Sequence, residues 1–355
     1  MMPNQSFVIE GGHPITGRIR PSGNKNAALP LIAAALLTDD EVVLENVPDI
    51  GDVETLLSIM TELGVTVSER GQGVIALRAD GVLGDRPNAA ACQQIRASVL
   101  LAGPLLTRCG RVHLPLPGGD VIGRRRIDTH VLALKALGAS VEVGEGEYLF
   151  ESRGRLEGAA IFLDETSVTA TENAIMAAAL AQGTTTIDNA ASEPHVQDLC
   201  RLLVAMGGRI EGIGSNRLII EGRDRLGGAS YRLGPDYIEV GSLITLAAVT
   251  GGELTIEDAR PEEHRATQLA FQRLGIRFTT DVSGRHIVVP KDQQLTVTPD
   301  LGGAIPKIED SPWPGFPADL TSLAIVGATQ SEGTVLVFEK MFESRLFFVD
   351  RLAAM

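Results

Sequence analysis

The sequence predicts an α/β fold in two domains, built by internal duplication. Three observations carry this. The 355 residues are 44% apolar, with the apolar positions spread evenly, which is enough for two domains with substantial cores. Short segments alternate apolar and polar residues in the manner of strands, and longer ones place apolar residues at i, i+3 and i+4 in the manner of helices. A module of turn, strand, turn, amphipathic helix and closing glycine recurs along the chain, the signature of a repeat architecture.

The modules run in order. The first is "LLTDDEVVLENVPDIGDVETLLSIMTELGVTV" and the second, looser, is "LLTRCGRVHLPLPGGDVIGRRRIDTHVLALKALGASV". Then come "LAQGTTTIDNAASEPHVQDLCRLLVAMGGRI" and "AVTGGELTIEDARPEEHRATQLAFQRLGIRF". Each opens at a helix end with a polar turn and an alternating strand. An acidic or proline-containing turn, an amphipathic helix and a further strand complete it. Gly64, Gly138, Gly207 and Gly275 close the helices. They recur roughly every 70 residues, and a helix C-cap of this kind needs positive φ. A fifth copy, "GATQSEGTVLVFEKMFESRLFFVDRLAAM", stops where the next capping glycine is due. The expectation is βαβ-type units in layered domains, five of them present.

Composition narrows the function. The net charge is -14 and the sequence pI about 4.9, which argues against nucleic acid as the main partner. No apolar run approaches the ~20 residues that span a bilayer, and "MMPNQSFVIEGG" lacks the regions of a secretory signal. Cys92, Cys109 and Cys200 follow no metal or redox spacing, which fits a reducing cytoplasm without disulfides. No G-x-G-x-x-G follows a strand and no Walker lysine motif is present, which weakens nucleotide-cofactor readings; no cofactor and no metal are expected.

Any anionic ligand must therefore be met by local clusters of Lys and Arg. In "RIRPSGNKNAALP", Lys25 and Asn26 stand at the N-terminal end of an apolar helix. That end of the macrodipole favours anions, so a lysine there makes sense if it shares an anionic ligand with free backbone N–H groups. Arg96 begins the strongly apolar "RASVLLAGPLL", and its head must reach water or a partner. The loop "PGGDVIGRRRIDTH" sets Asp120 at the tip of a glycine turn, followed by Arg124, Arg125 and Arg126, then Asp128 and His130. In "EDSPWPGFPADLTSL", Asp319 starts an apolar helix after a proline-rich turn, and a helix N-cap is the better local reading of it.

Together "SGNKNAALP", "IRASVLLAGPLL", "GGDVIGRRRIDTHVLALKALGA", "TSVTATENAIMAAALAQGTTTIDNAASEP" and "PGFPADL" resemble the enolpyruvyl transferases, in order from about residue 8 to the end. The resemblance implies a two-domain enolpyruvyl transferase fold, an inside-out α/β barrel of six βαβαββ-type units, of which five of six are present. It implies a first domain at 22–232 and a second from 1–21 with 233–355. The implied activity is transfer of the enolpyruvyl group of phosphoenolpyruvate to the 3-hydroxyl of UDP-N-acetylglucosamine, for cell-wall precursor synthesis. Alternatives are a non-catalytic UDP-sugar-binding homologue and the shikimate-pathway reaction on shikimate 3-phosphate.

The resemblance also implies roles. Lys25, Asn26 and Arg125 would hold phosphoenolpyruvate. Arg96, Arg125, Arg126, Ile127, Asp128, Thr129, Ser167 and Val168 would contact the UDP-sugar. Asp319 would meet the sugar 3-hydroxyl as base, with Met341 lining the site and Arg345 close by. Asp120 would deliver the proton, where most members carry Cys. Closure of the loop beside an anionic substrate would raise the pKa of Asp120 from its usual value of about 4, while the arginines oppose this. Glu165 and Tyr237 also depart from the family pattern. The missing sixth unit leaves either a fragment of a longer chain or a degenerate, inactive homologue, and the fragment is expected.

Overall fold

The computed structural model describes residues 8–81, 83–119, 127–342 and 344–355. They form two compact units. The larger takes Ser22–Asp236, Pro312–Pro314 and Phe342–Met355, and the smaller Met1–Pro21, Tyr237–Ser311 and Gly315–Met341.

The larger unit repeats one plan three times. Its first sheet orders Ala229–Arg232, Val42–Glu45, Val74–Arg78 and Thr66–Glu69. Ala229–Arg232 pairs parallel to Val42–Glu45 and the remaining pairings are antiparallel. The second sheet, Arg111–Pro115, Glu147–Glu151 and Ser140–Val143, is antiparallel throughout. The third orders Arg209–Glu211, Arg217–Glu221, Thr184–Asp188 and Ala160–Phe162, the last pair parallel. Alternation along Val42–Glu45 and Thr184–Asp188 sends every second side chain into the core, which is what a one-faced sheet requires.

Helices occupy the middle. Lys25–Ala34 is buried from Ala27 to Ala34 and Val168–Ala179 from Ala170 to Ala179. Between them lie the 3-10 turn Arg96–Leu101 and the helix Ala102–Cys109, which the turn leads into. A helix apolar on all sides belongs in a core, and an amphipathic one covers it. The amphipathic helices Gly51–Glu62, Asp128–Ala136 and Pro194–Ala205 pack against these central segments. Helices inside and half-exposed sheets around them are the inside-out arrangement expected from the sequence.

The smaller unit pairs Gly17–Ile19 parallel to Leu254–Ile256, so residues before the first helix complete a sheet more than two hundred positions later. Ile287–Val289 and Thr279–Thr280 extend that sheet antiparallel. Lys307–Glu309 and Leu336–Phe338 form a second, parallel pair. Val240, Ile244, Phe271, Leu320 and Ala324 belong to the core of this unit. The four capping glycines all have positive φ, from 79° at Gly275 to 104° at Gly64, as the module pattern requires.

Candidate functional site

Lys25 is the first residue of its helix, and the cap is the residue before it. Asn24 accepts hydrogen bonds from the N–H groups of Asn26, at 2.8 Å, and Ala27, at 3.2 Å. The Lys25 N–H donates to Asp236 at 3.4 Å. The first-turn amides expected to be free for an anion are thus partly taken by the protein's own acceptors. The Lys25 ammonium lies 2.6 Å from the Asp52 carboxylate, both side chains well exposed. Asn26 is half-buried behind it. A short polar residue just before an apolar run is the signal that marks Asn24 as the cap. Asp52, on a different helix, has no such signal.

Arg96 opens a 3-10 turn rather than an α-helix, with residues 97–101 all buried behind it. The half-buried guanidinium lies close enough to His130 to disfavour its protonation. The stem of the glycine loop runs over the same segment. The Gly118 N–H donates to the Cys92 carbonyl at 3.1 Å. A Cβ at Gly118 would come within 1.7 Å of the Gln93 carbonyl oxygen, and one at Gly119 within 2.9 Å of the Arg96 Cβ. Only glycine lets the loop base lie this near to Arg96. Asp120, Arg124, Arg125 and Arg126 lie outside the described residues.

Ile127 is buried at the start of the next helix, and Asp128, its first residue, is exposed. A negative side chain in the first turn complements the macrodipole. Thr129 is buried and donates to Asp164 at 2.7 Å. His130 is buried as well. Burial first, then the Arg96 charge, hold its imidazole down at about 3. Ser167 caps the helix that begins at Val168, its hydroxyl accepting from the Ala170 N–H at 3.4 Å.

Arg96, Asp128, Thr129, Ser167 and Val168 thus sit at the starts of three helical segments that pack together in the larger unit, where His130, Thr169 and Asn173 interlink them. The helix that begins at Lys25 packs against the Arg96–Leu101 turn.

Asp319 and Met341 belong to the smaller unit. Asp319 is exposed within the 3-10 turn Ala318–Leu320, and Leu320 occupies the N-cap position of the helix that follows. The local reading of Asp319 as that helix's cap is therefore corrected: the N-cap position falls on Leu320, which among the described residues makes no side-chain cap bond. Instead the buried Asp310 carboxylate accepts from the backbone N–H groups of Lys340, at 2.6 Å, and Met341, at 3.1 Å. This holds the segment that presents the half-exposed Met341. In the larger unit the Arg345 guanidinium lies over the Phe342 ring, 4.9 Å from its centroid. Among the described residues no cluster of three or more His, Cys, Asp or Glu could hold a metal, and no helix is long and apolar enough to cross a membrane.

The model of the EPSP synthase (3-phosphoshikimate 1-carboxyvinyltransferase) family matches residues 9–355. A protein of Bradyrhizobium diazoefficiens named UDP-N-acetylglucosamine 1-carboxyvinyltransferase is 56% identical over 356 residues, taking in 100% of this chain and 81% of that protein. One of the same name from Treponema denticola is 54% identical, over 98% of this chain and 81% of its own length. Among solved structures, the enolpyruvyl transferase NikO from Streptomyces tendae superposes with a TM-score of 0.82 at 23% identity, covering 98% of this chain and 80% of that one. EPSP synthase from Acinetobacter baumannii gives 0.69 at 18% identity, over 92% and 74%. These two show the fold, and the family match and close relatives show more: the chain belongs to the EPSP synthase family of enolpyruvyl transferases.

Proposed function

We propose that this protein transfers the enolpyruvyl group of phosphoenolpyruvate to the 3-hydroxyl of UDP-N-acetylglucosamine, releasing phosphate. The observation that carries the reading is relatedness: proteins of that name are 45% to 56% identical across essentially the whole chain. The family model bears the name of the shikimate-pathway enzyme, but the solved structure of that name is far more distant, at 18% identity.

In this reading the reaction is an addition followed by an elimination. A proton goes to the methylene carbon of phosphoenolpyruvate while the sugar 3-hydroxyl oxygen bonds to the neighbouring carbon and loses its own proton. The C–O bond to phosphate then breaks, and loss of a proton from the new methyl group restores the double bond. Lys25 and Arg125 supply positive charge to a highly charged substrate, with Asn26 beside them, and Asp120 is the proton donor. Arg96, Arg126, Ile127, Asp128, Thr129, Ser167 and Val168 hold the UDP-sugar. Asp319 takes the hydroxyl proton, with Met341 nearby.

Two carboxyl groups in different environments can divide acid and base work in this way. The exposure of Asp319 and the seating of Arg96 beside the glycine stem are compatible with these roles. The reaction needs no cofactor, and substrates of this charge place it in the cytoplasm. Phosphate release from phosphoenolpyruvate on addition of UDP-N-acetylglucosamine tests the reading directly. Release that prefers shikimate 3-phosphate would reassign the acceptor.

A further inference from the structure

Asn173 is fully buried in the middle of the apolar helix Val168–Ala179. The Gly103 backbone N–H donates to its Oδ1 at 2.7 Å, which fixes which way the amide faces. Its NH2 group then meets the Val99 carbonyl at 2.8 Å and His130 Nδ1 at 2.9 Å. Because the amide donates, Nδ1 must accept, and the imidazole carries its hydrogen on Nε2. That N–H lies 3.0 Å from the Thr169 hydroxyl oxygen, which accepts it. The His130 ring stays neutral near pH 7, since burial and then the Arg96 charge hold it at about 3.

Each contact of this buried group lands beside a segment already singled out. Val99 and Gly103 follow Arg96 on the same run of chain. His130 follows Asp128 and Thr129. Thr169 and Asn173 follow Ser167 and Val168. Apolar side chains would fill the same space without specifying a register. A fully satisfied polar network in a core admits one arrangement.

We propose that Asn173 and His130 are positioning residues for the nucleotide-sugar, locking together the three segments that carry Arg96, Asp128 with Thr129, and Ser167 with Val168. This rests on the UDP-sugar reading above. Neither residue need touch the ligand. They act by fixing beforehand the geometry that the ligand would otherwise have to impose, which is where preorganisation yields affinity.

The test is calorimetric titration of the protein with UDP-N-acetylglucosamine, alongside urea unfolding and the KM for phosphoenolpyruvate. Asn173→Leu and His130→Leu should each weaken UDP-sugar binding by about tenfold or more while moving the phosphoenolpyruvate KM by less than about twofold. His130→Asn, whose Oδ1 can accept where Nδ1 did, should stay within about threefold of wild type. A merely structural role would lower the urea midpoint of the leucine variants and leave the dissociation constant unchanged, which would overturn the proposal. So would a His130→Asn variant as weak as His130→Leu. Should the leucine variants not fold, Thr169→Val decides: it strands only the Nε2–H, and an unchanged dissociation constant would count against the proposal. Wild-type protein that does not bind UDP-N-acetylglucosamine removes the functional reading and this proposal together, whereas wild-type binding with unaltered variants removes only the proposal.

Discussion

The Lys25 ammonium rests 2.6 Å from the Asp52 carboxylate, on the neighbouring helix of the same unit. Both side chains are well exposed, at 47% and 38%, so the pair contributes less than about 1 kcal/mol to folding. Lys25→Met should therefore leave the urea unfolding free energy within about 1 kcal/mol of wild type. In the proposed role it should lower kcat/KM for phosphoenolpyruvate by roughly a hundredfold or more, since a charge aimed at a phosphate is removed from the transition state. Parallel loss of stability and activity would make Lys25 a structural residue instead.

Asp198 makes a different kind of contact. It is buried, and its carboxylate accepts from the Tyr231 hydroxyl at 2.9 Å, the Gly234 N–H at 3.1 Å and Arg201 at 3.2 Å. Asp198→Ala should destabilise by about 3 kcal/mol or more, because it strands buried donors. Tyr231→Phe should cost about 1 kcal/mol, and Arg201→Ala less than that, its side chain being half exposed. Urea titration of the three variants checks the order, which a larger loss from Arg201→Ala would contradict.

Glu172 provides a pH signature. It is buried, and among the described residues its Oε1 has no hydrogen-bond partner. Burial first, then the charge of Glu193, hold its carboxyl well above the ordinary glutamate value of 4.5. A carboxyl raised in the folded state contributes its full stability below the unfolded pKa and loses it as pH climbs towards the folded one. Glu172→Gln keeps the neutral shape and removes that dependence. The stability of this variant relative to wild type should rise with pH above about 5, by up to about 1.4 kcal/mol per pH unit. Unfolding at pH 5 and pH 8 measures it, and a difference independent of pH would mean that Glu172 is ionised in the fold.

By the resemblance, Asp120 stands where most family members carry the thiol that an epoxide such as fosfomycin alkylates, so the protein should resist that epoxide. A carboxylate is the poorer nucleophile towards an epoxide. The remaining thiols offer no substitute. Burial drives Cys92 to about 11 and Cys200 to about 12, and raises Cys109 as well. Intact-mass spectra after incubation with fosfomycin and UDP-N-acetylglucosamine should show no stoichiometric adduct on the wild type and one on Asp120→Cys. A full adduct on the unmutated protein would contradict this reading of the loop.

The fold was legible because repeated local rules agree with it. Alternation, helical spacing and the glycines at 64, 138, 207 and 275 each specify a piece of backbone without reference to distant residues. The apolar run that follows Lys25 likewise fits the buried place of Lys25–Ala34, whereas Glu172 and Asn173 within the buried helix Val168–Ala179 gave no such signal. The candidate site was legible only where a residue type is misplaced by local standards, as with Lys25 at a helix start or Arg96 before an apolar run. Pairings across the chain left no trace. Asp52 as the partner of Lys25, Asp164 as that of Thr129, and Asn173 between Val99, Gly103 and His130 depend on which helices meet. Asp319 shows the reverse error: its position before an apolar helix suggested a cap, and an intervening 3-10 turn puts Leu320 there instead.

The acceptor distinguishes the proposed reaction from the shikimate-pathway one. The most direct measurement is phosphate released from phosphoenolpyruvate in parallel reactions with UDP-N-acetylglucosamine, with shikimate 3-phosphate, and with neither. Release is expected with the UDP-sugar alone, at a rate that Asp319→Ala lowers by about a hundredfold or more. Release with shikimate 3-phosphate in preference, or none with the UDP-sugar, would contradict it.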